Sequence, residues 1–371
     1  MSQFLFIIIF LLILLGSHFF IYFSFISFLG IIGNLKVWLG IVLFVLPILF
    51  IVSSVIAHYY LNYLTRAIYF VAGLWLALAL NLIASALIVW IVIGFSKIVD
   101  FNLNLKVLSW LGIVFSLVFV IYGIWNVYNV KIKNITVKIR DLPLEWQGKK
   151  AVQISDVHLG YIFGRNYLQF LVEKINKIDP DIVFITGDLF DAMDGALDEI
   201  VAPLNQLNSS DGVYFVTGNH ESYLGVDKVF EALKKTRVKI LDDDFVNVDG
   251  VQIAGLNFPG RGISESRDFA EVFESWSGFD SAKPVILLFH SPTQVADAQK
   301  LGVDLFLAGH THVGQLFPLG FVTNIVYKGF DYGLRENGDF SIYTSSGVGA
   351  WGPTVRTSKH SEIVIINFEV K

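Results

Sequence analysis

Up to Asn129 this chain is almost devoid of charge: only Lys36, Arg66, Lys97, Lys106 and Asp100 interrupt it, although the whole sequence holds 27 basic and 32 acidic side chains. Four apolar stretches fill that region, at Phe4–Leu29, Val37–Ala57, Ala67–Phe95 and Val107–Val127. Each reaches the length of about 20 residues that a helix needs to cross a hydrocarbon core. The breaks between them hold Gly33 to Lys36, His58 to Arg66, and Lys97 to Lys106. Tyr59, Tyr60, Tyr63, Trp110, Trp125 and Tyr128 gather near the ends, as interfacial anchors do. No basic residue precedes the first stretch and no small-residue cleavage pattern follows it, so a retained span is expected rather than a removed signal peptide. The chain is therefore expected to divide into a transmembrane region, 1–129, with spans at 4–29, 37–57, 67–95 and 107–127, and a soluble domain, 130–371, as a multi-pass protein of the cell membrane.

No Asp, Glu, Lys or Arg lies well inside a span, which argues against an ion or substrate path. His18 and Asn81 are the polar exceptions, and a hydrogen bond between helices accounts for such residues. An anchor is the expected role. Four spans leave both termini on one side. Arg66 with the stem residues Lys131, Lys133, Lys138 and Arg140 places the soluble domain in the cytoplasm; the loops between spans, counted alone, favour the opposite side.

Beyond the spans the acidic excess of the chain is concentrated, and no basic stripe marks a nucleic-acid surface. The absence of cysteine excludes disulfides, thiolate metal sites, iron–sulfur clusters and cysteine nucleophiles. No feature identifies a protein partner. Short β-rich runs are expected at Ile135–Ile139, Lys150–Ile154, Ile182–Thr186, Val213–Thr217, Val251–Ala254, Val285–Phe289, Leu305–Ala308, Ser341–Thr344 and Ile363–Phe368. Helical patterns fall between several of them, at Tyr167–Lys177, Lys228–Lys234, Phe269–Ser275 and Gln294–Lys300. Strands alternating with helices predict an α/β domain.

The polar residues of that domain fall at particular places. Asp156 and His158 follow one apolar strand, Asp188 the next, and Asn219, His220 and Glu221 a third; His290 ends a fourth, His310 and His312 a fifth. Singly, an Asp after a strand is a common turn residue and a lone His a hydrogen-bonded core residue. Together they are not: five of the eight histidines sit at these strand ends, where open α/β sheets place their sites. Imidazole, carboxylate and amide donors suit manganese, iron or zinc, and the set exceeds what one ion needs. A carboxylate can bridge, so two divalent ions would fit, activating water and clamping phosphoryl oxygens. The glycines before Asp188, Asn219 and His310 fit sharp turns close to such a centre.

In order, Asp156-x-His158, Gly187-Asp188, Gly218-Asn219-His220-Glu221, His290 and Gly309-His310-Thr311-His312 resemble the motif series of calcineurin-like metallophosphoesterases, over roughly Lys149 to the C-terminus. Gly314-Gln315 and Ser345-Ser346-Gly347-Val348-Gly349 extend the likeness, which is strongest to the membrane-associated YkuE-like branch. The resemblance implies a four-layer α/β/β/α sandwich and two divalent metal ions, manganese first, with iron or zinc as alternatives. It assigns Asp156, His158 and His312 to one ion, Asn219, His290 and His310 to the other, and Asp188 as the bridge. His220 would contact the phosphate or protonate the leaving oxygen, oriented by Glu221. Val313 departs from the glycine common in that branch.

The expected substrate is a phosphomonoester, phosphodiester or pyrophosphate. A multi-span anchor fits a lipid-linked or cell-envelope phosphate, as in family members that hydrolyse UDP-diacylglucosamine, and the basic stem would attract anionic head groups. The interval between His220 and His290 holds no long insertion to cap a lipid tail. Arg165 is a candidate substrate contact, with Arg261 and Arg356 as further candidates for a phosphate. The alternatives are a non-catalytic scaffold that binds metal and phosphate, and a regulatory domain of a four-helix membrane module.

Overall fold

The computed structural model describes residues 3–60, 62–191, 197–260 and 267–371, with the side chains of Gln3, Phe4, Phe6, Ile7, His58 and Tyr59 outside that description. The chain falls into two compact units: Met1–Trp125 with Gly352–Thr357, and Asn126–Trp351 with Ser358–Lys371.

The first unit is built on α1 (Gln3–Leu29), α2 (Gly33–Tyr59), α3 (Tyr63–Ile98) and α4 (Leu105–Tyr128). All four are long and apolar enough to cross a membrane. Helix α3 runs past both ends of its expected span and takes in Arg66 and Lys97. Asn62 starts it: its side chain accepts from Thr65 N while Thr65 Oγ1 accepts from Asn62 N, each at 3.0 Å. Small and polar side chains join the helices. Trp75 Nε1 donates to His18 Nε2 (3.0 Å), Trp90 Nε1 to Ser24 Oγ (2.9 Å), and Ser85 pairs with Ser116 (3.0 Å). His18 thus makes the interhelical bond expected of it, whereas Asn81 turns back to Ala77 O on its own helix. The segment Gly352–Thr357 packs within this unit: a Cβ on Gly123 would collide with Val355, and Arg356 N donates to Gly123 O at 3.0 Å.

Among the described residues of the second unit, twelve strands form two six-stranded sheets. They are β1 (Lys131–Ile139), β2 (Lys150–Ile154), β3 (Ile182–Thr186), β4 (Gly212–Val216), β5 (Val238–Ile240), β6 (Asp244–Val248), β7 (Val251–Leu256), β8 (Val285–Phe289), β9 (Leu305–Ala308), β10 (Gly333–Asn337), β11 (Phe340–Thr344) and β12 (Glu362–Val370). The helices are α5 (Arg165–Asn176), α6 (Leu197–Val201), α7 (Asn219–Leu224), α8 (Val226–Leu233), α9 (Phe269–Ser275), α10 (Val295–Lys300) and α11 (Gly320–Val326). One sheet runs β1-β12-β2-β3-β4-β5 and the other β10-β11-β9-β8-β7-β6. At their centres β2, β3 and β4 are parallel, as are β7, β8, β9 and β11.

Alternation along these strands makes three apolar layers. Phe184, Tyr214 and Val216 of the first sheet meet Ile286, Leu288 and Leu307 of the second between the sheets. The opposite faces pack on helices: Val183, Ile185 and Phe215 on Leu168, Leu171 and Val229, and Leu287, Phe289 and Phe306 on Phe269, Phe273 and Ala298. Strands buried on both faces must be apolar throughout, which is why the inner ones read as continuous hydrophobic runs. The result is the α/β/β/α sandwich.

Candidate metal centre

Parallel neighbours end at the same level, so their following residues converge. Asp156 and His158 leave β2, Asp188 leaves β3, and Asn219 and His220 open α7 after β4. From the facing sheet His290 leaves β8, and His310 and His312 leave β9. The structure brings the six expected aspartate and histidine ligands together, with Asn219 next to His220, whose N donates to Asp188 Oδ1. His158 Nε2 lies 3.0 Å from His312 Nε2, which lies 3.3 Å from Asp156 Oδ1. His310 Nδ1 lies 3.2 Å from His290 Nε2, which lies 3.1 Å from Asp188 Oδ2. That same Asp188 oxygen is 3.9 Å from His158 Nε2, so it stands between the two groups. His290 Nδ1 is 2.7 Å from Thr186 O; as donor there it leaves Nε2 with its lone pair toward the centre.

The donors fit cations. Among the described residues, imidazole nitrogens and carboxylate oxygens within 4.8 Å of one another compose three triads, Asp156-His158-His312, Asp188-His290-His310 and His158-Asp191-His220, the last sharing His158 with the first. Asn219 Oδ1 is buried there without a hydrogen-bond partner, an acceptor that an ion would satisfy. The field is of the right sign as well. Burial disfavours a charged His220, yet the Asp188 and Asp191 carboxylates outweigh it and hold the imidazole up at about 9.

The backbone of the centre is unusual. Asp156, His158, Asp188, His310 and His312 all have positive φ, between 48 and 72°. Left-handed backbone at non-glycine residues costs about 1 kcal/mol or more each and collects where function requires it. Asp188 N and Phe190 N donate to Glu221 (2.9 and 3.0 Å), His220 N to Asp188 Oδ1 (2.9 Å), and His310 N to both Asp156 oxygens (3.0 and 3.1 Å). These bonds hold the turns in place. Two glycines are dictated by crowding: a Cβ on Gly218 would strike the Asp188 carboxylate, and one on Gly309 would strike Ser155 and Asp156. Val313 also holds φ 53°, the conformation a glycine would adopt freely. The tail motif has a place too: Val348 N and Gly349 N donate to Ser155 O and Asp156 O (2.9 and 2.8 Å), bracing the first ligand turn.

Glu221 does not orient His220. Its carboxylate is fully buried and accepts from Asp188 N, Phe190 N and Gly218 N, tying the β3 turn to the start of α7. Burial, then the Asp188 charge, push its carboxyl up. The carboxylate that faces His220 is Asp191, whose Oδ1 lies 3.4 Å from His220 Nδ1 and 3.7 Å from His158 Nδ1. Burial of Asp191 is outweighed by those two imidazoles, which hold it below the usual carboxylate range. Its sequence signal was the acid at the end of Gly187-Asp188-Leu189-Phe190-Asp191, a spacing that returns to the strand end through one tight turn. Two exposed aromatics escaped the sequence reading as well. Tyr223 and Trp351 flank His220, with ring centroids at 5.5 and 6.0 Å, and Gln315 pins the Trp351 backbone through two 2.9 Å bonds. Of the arginines, Arg165 opens α5 as an exposed residue. Arg356 is not a surface residue: it is fully buried in the first unit. Arg261 lies outside the described residues.

A two-sheet sandwich whose strand ends bring histidines and carboxylates together as candidate metal ligands has the architecture of a metal-dependent hydrolase. The chain belongs to the calcineurin-like phosphoesterase family, which matches residues 149–314. A metallophosphoesterase of Campylobacter jejuni is 34% identical over 275 residues, 73% of this chain and 72% of that one. A Danio rerio transmembrane protein with metallophosphoesterase domain is 32% identical over 275 residues, 69% of this chain and 61% of that one. The Bacillus subtilis metallophosphoesterase YkuE is 25% identical over 250 residues, 63% of this chain and 84% of that one. By that membership the protein is a metal-dependent hydrolase of phosphoric esters.

Proposed function

We propose that the chain is a multi-pass membrane enzyme that hydrolyses a lipid-linked or cell-envelope phosphoester with two divalent ions, its catalytic domain on the cytoplasmic side. One observation carries the reading of the centre: a single Asp188 oxygen lies within reach of both histidine groups. Asp156, His158 and His312 would hold one ion, Asn219, His290 and His310 the other, with Asp188 shared. When bound, such ions supply charge for the phosphoryl oxygens and lower the pKa of water. The remaining work falls to the protein. His220 would bind the phosphate and, when protonated, give its Nε2 proton to the leaving oxygen, while Asp191 fixes the ring from Nδ1. Tyr223 and Trp351 would flank the leaving group. Arg165 is left without a role. Manganese is the ion to try first, with iron and zinc beside it.

The lipid part of the proposal rests on the four apolar helices, which would confine the enzyme to the surface where such substrates lie. Purified full-length protein should hydrolyse phosphatidic acid or UDP-diacylglucosamine in mixed micelles faster than p-nitrophenyl phosphate, and only with metal. Equal rates on all three would remove the lipid preference. No metal-dependent turnover on any of them would favour the scaffold.

A further inference from the structure

Helix α11 is turned the wrong way for water. Thr323 and Asn324 face the domain, bonding the Asp331 carboxylate at 3.1 and 2.8 Å, and Tyr327 lies against His310 at 6.1 Å between ring centroids. Phe321, Val322, Ile325 and Val326 point away, 56 to 78% exposed, and none of the helix's residues is buried. Phe317 and Leu319, exposed just before it, extend the patch. A surface helix of a soluble domain has the opposite arrangement, and a contiguous apolar patch of this kind marks an interaction site.

The charge around the patch says which kind. From Val313 to Tyr332 the charged residues are Lys328, exposed, and Asp331, buried and bonded as above. Arg335 and Lys359, both exposed, line a groove of about 450 Å³ with Phe317, Phe321 and Tyr332. Lys133 Nζ, two residues into β1, donates to Tyr332 OH at 3.1 Å. Apolar side chains rimmed by basic ones match the boundary between acyl chains and anionic head groups.

We infer that Phe317–Val326 is an interfacial element that inserts into an anionic lipid surface and so seats the rim of the metal centre on the bilayer. The inference rests on the proposed membrane anchoring but not on the reaction. The element is fastened to the centre itself, since Thr311, between the two histidines, donates to Asp331 O at 2.7 Å. A lipid head group would then meet His310 and His312 without leaving the interface.

The chain has no cysteine, so Ile325→Cys offers a single labelling position in the full-length protein. Carrying a bimane label in vesicles of phosphatidylcholine and phosphatidylglycerol, it should shift to the blue and be quenched by lipids brominated high on the acyl chain. The same label at Lys234→Cys, exposed after α8, should do neither. Reversing Lys328 and Lys359 to Glu should weaken the quenching at position 325. No quenching there, or equal quenching at both positions, overturns the inference. So does a shift that follows protein density instead of lipid bromination, which would assign the patch to a second copy of this chain. Quenching at 325 alone in a protein that hydrolyses no phosphoester would sustain the interfacial element while the proposed reaction fell.

Discussion

At the scale of single residues, the centre separates groups that would hold ions from groups that would act on substrate. Asp188 faces both histidine groups, so Asp188→Ala should abolish activity and reduce bound metal. His220→Ala should lower kcat by about 10²- to 10⁴-fold, the usual worth of a general acid, and leave metal content near that of the parent. Metal analysis alongside kinetics checks both; loss of metal from the His220 variant would show that the division of roles is wrong. Asp191 touches His158 and His220 through Nδ1. Asp191→Asn keeps its shape and removes its charge, and groups that orient metal-bound histidines are worth about 10- to 100-fold in affinity or activity. The variant should therefore lose kcat and also bind metal more weakly, which distinguishes it from the His220 variant in the same titration. Asp188 and His220 were readable from the motifs. Asp191 was overlooked in favour of Glu221, because adjacency in sequence does not say that the Glu221 carboxylate turns back onto three backbone N–H groups.

At the scale of elements, the strands that carry the ligands were legible and the peripheral ones were not. The runs at β2, β3, β8 and β9 are buried on both sides, and burial demands the apolar residues that announce them. The short β5, β6 and β10 lie towards or at the sheet edges with exposed positions and carry little pattern. Helix α11 lacks a buried face, so no core-facing stripe marks it. One pair of ligand strands is also coupled by a titrating group: Asp304, just before β9, accepts from Val285 N of β8 at 2.8 Å. Burial raises its pKa from an ordinary 3.8 to about 6. The folded state then holds that proton more tightly than the unfolded one, so this contribution is complete below the ordinary value and is lost as pH rises to about 6. Asp304→Asn, still able to accept from Val285, should gain on the order of 2 kcal/mol over the parent near neutral pH and little below about pH 4. Thermal melting at the two ends of that range checks the sign.

At the scale of the whole molecule, two kinds of solvent divide the chain. The four apolar helices carry small and polar side chains where they touch one another, and the sandwich buries its ligand turns in a negative field. Without cations the carboxylates of the centre repel one another in a poorly solvated space. Chelation should therefore lower the melting temperature of the full-length protein in detergent, and manganese should restore it. A hundredfold excess over Kd stabilises by about 2.7 kcal/mol. Unchanged melting with and without chelator would deny the centre a tightly bound ion.

The sequence by itself determined the four long apolar helices, the α/β class and the strand-end placement of the candidate ligands. Each depends on short-range pattern: hydropathy over one span, alternation within one strand, the residue that follows it. The tertiary structure decided what such patterns cannot carry. It set Asp191 against His220, turned Glu221 to the backbone, placed Gly352–Thr357 with the helices and buried Arg356 there, and left α11 with its apolar face outward. Those outcomes depend on which distant segments share a space, and orientation in space is fixed by packing, not by order along the chain.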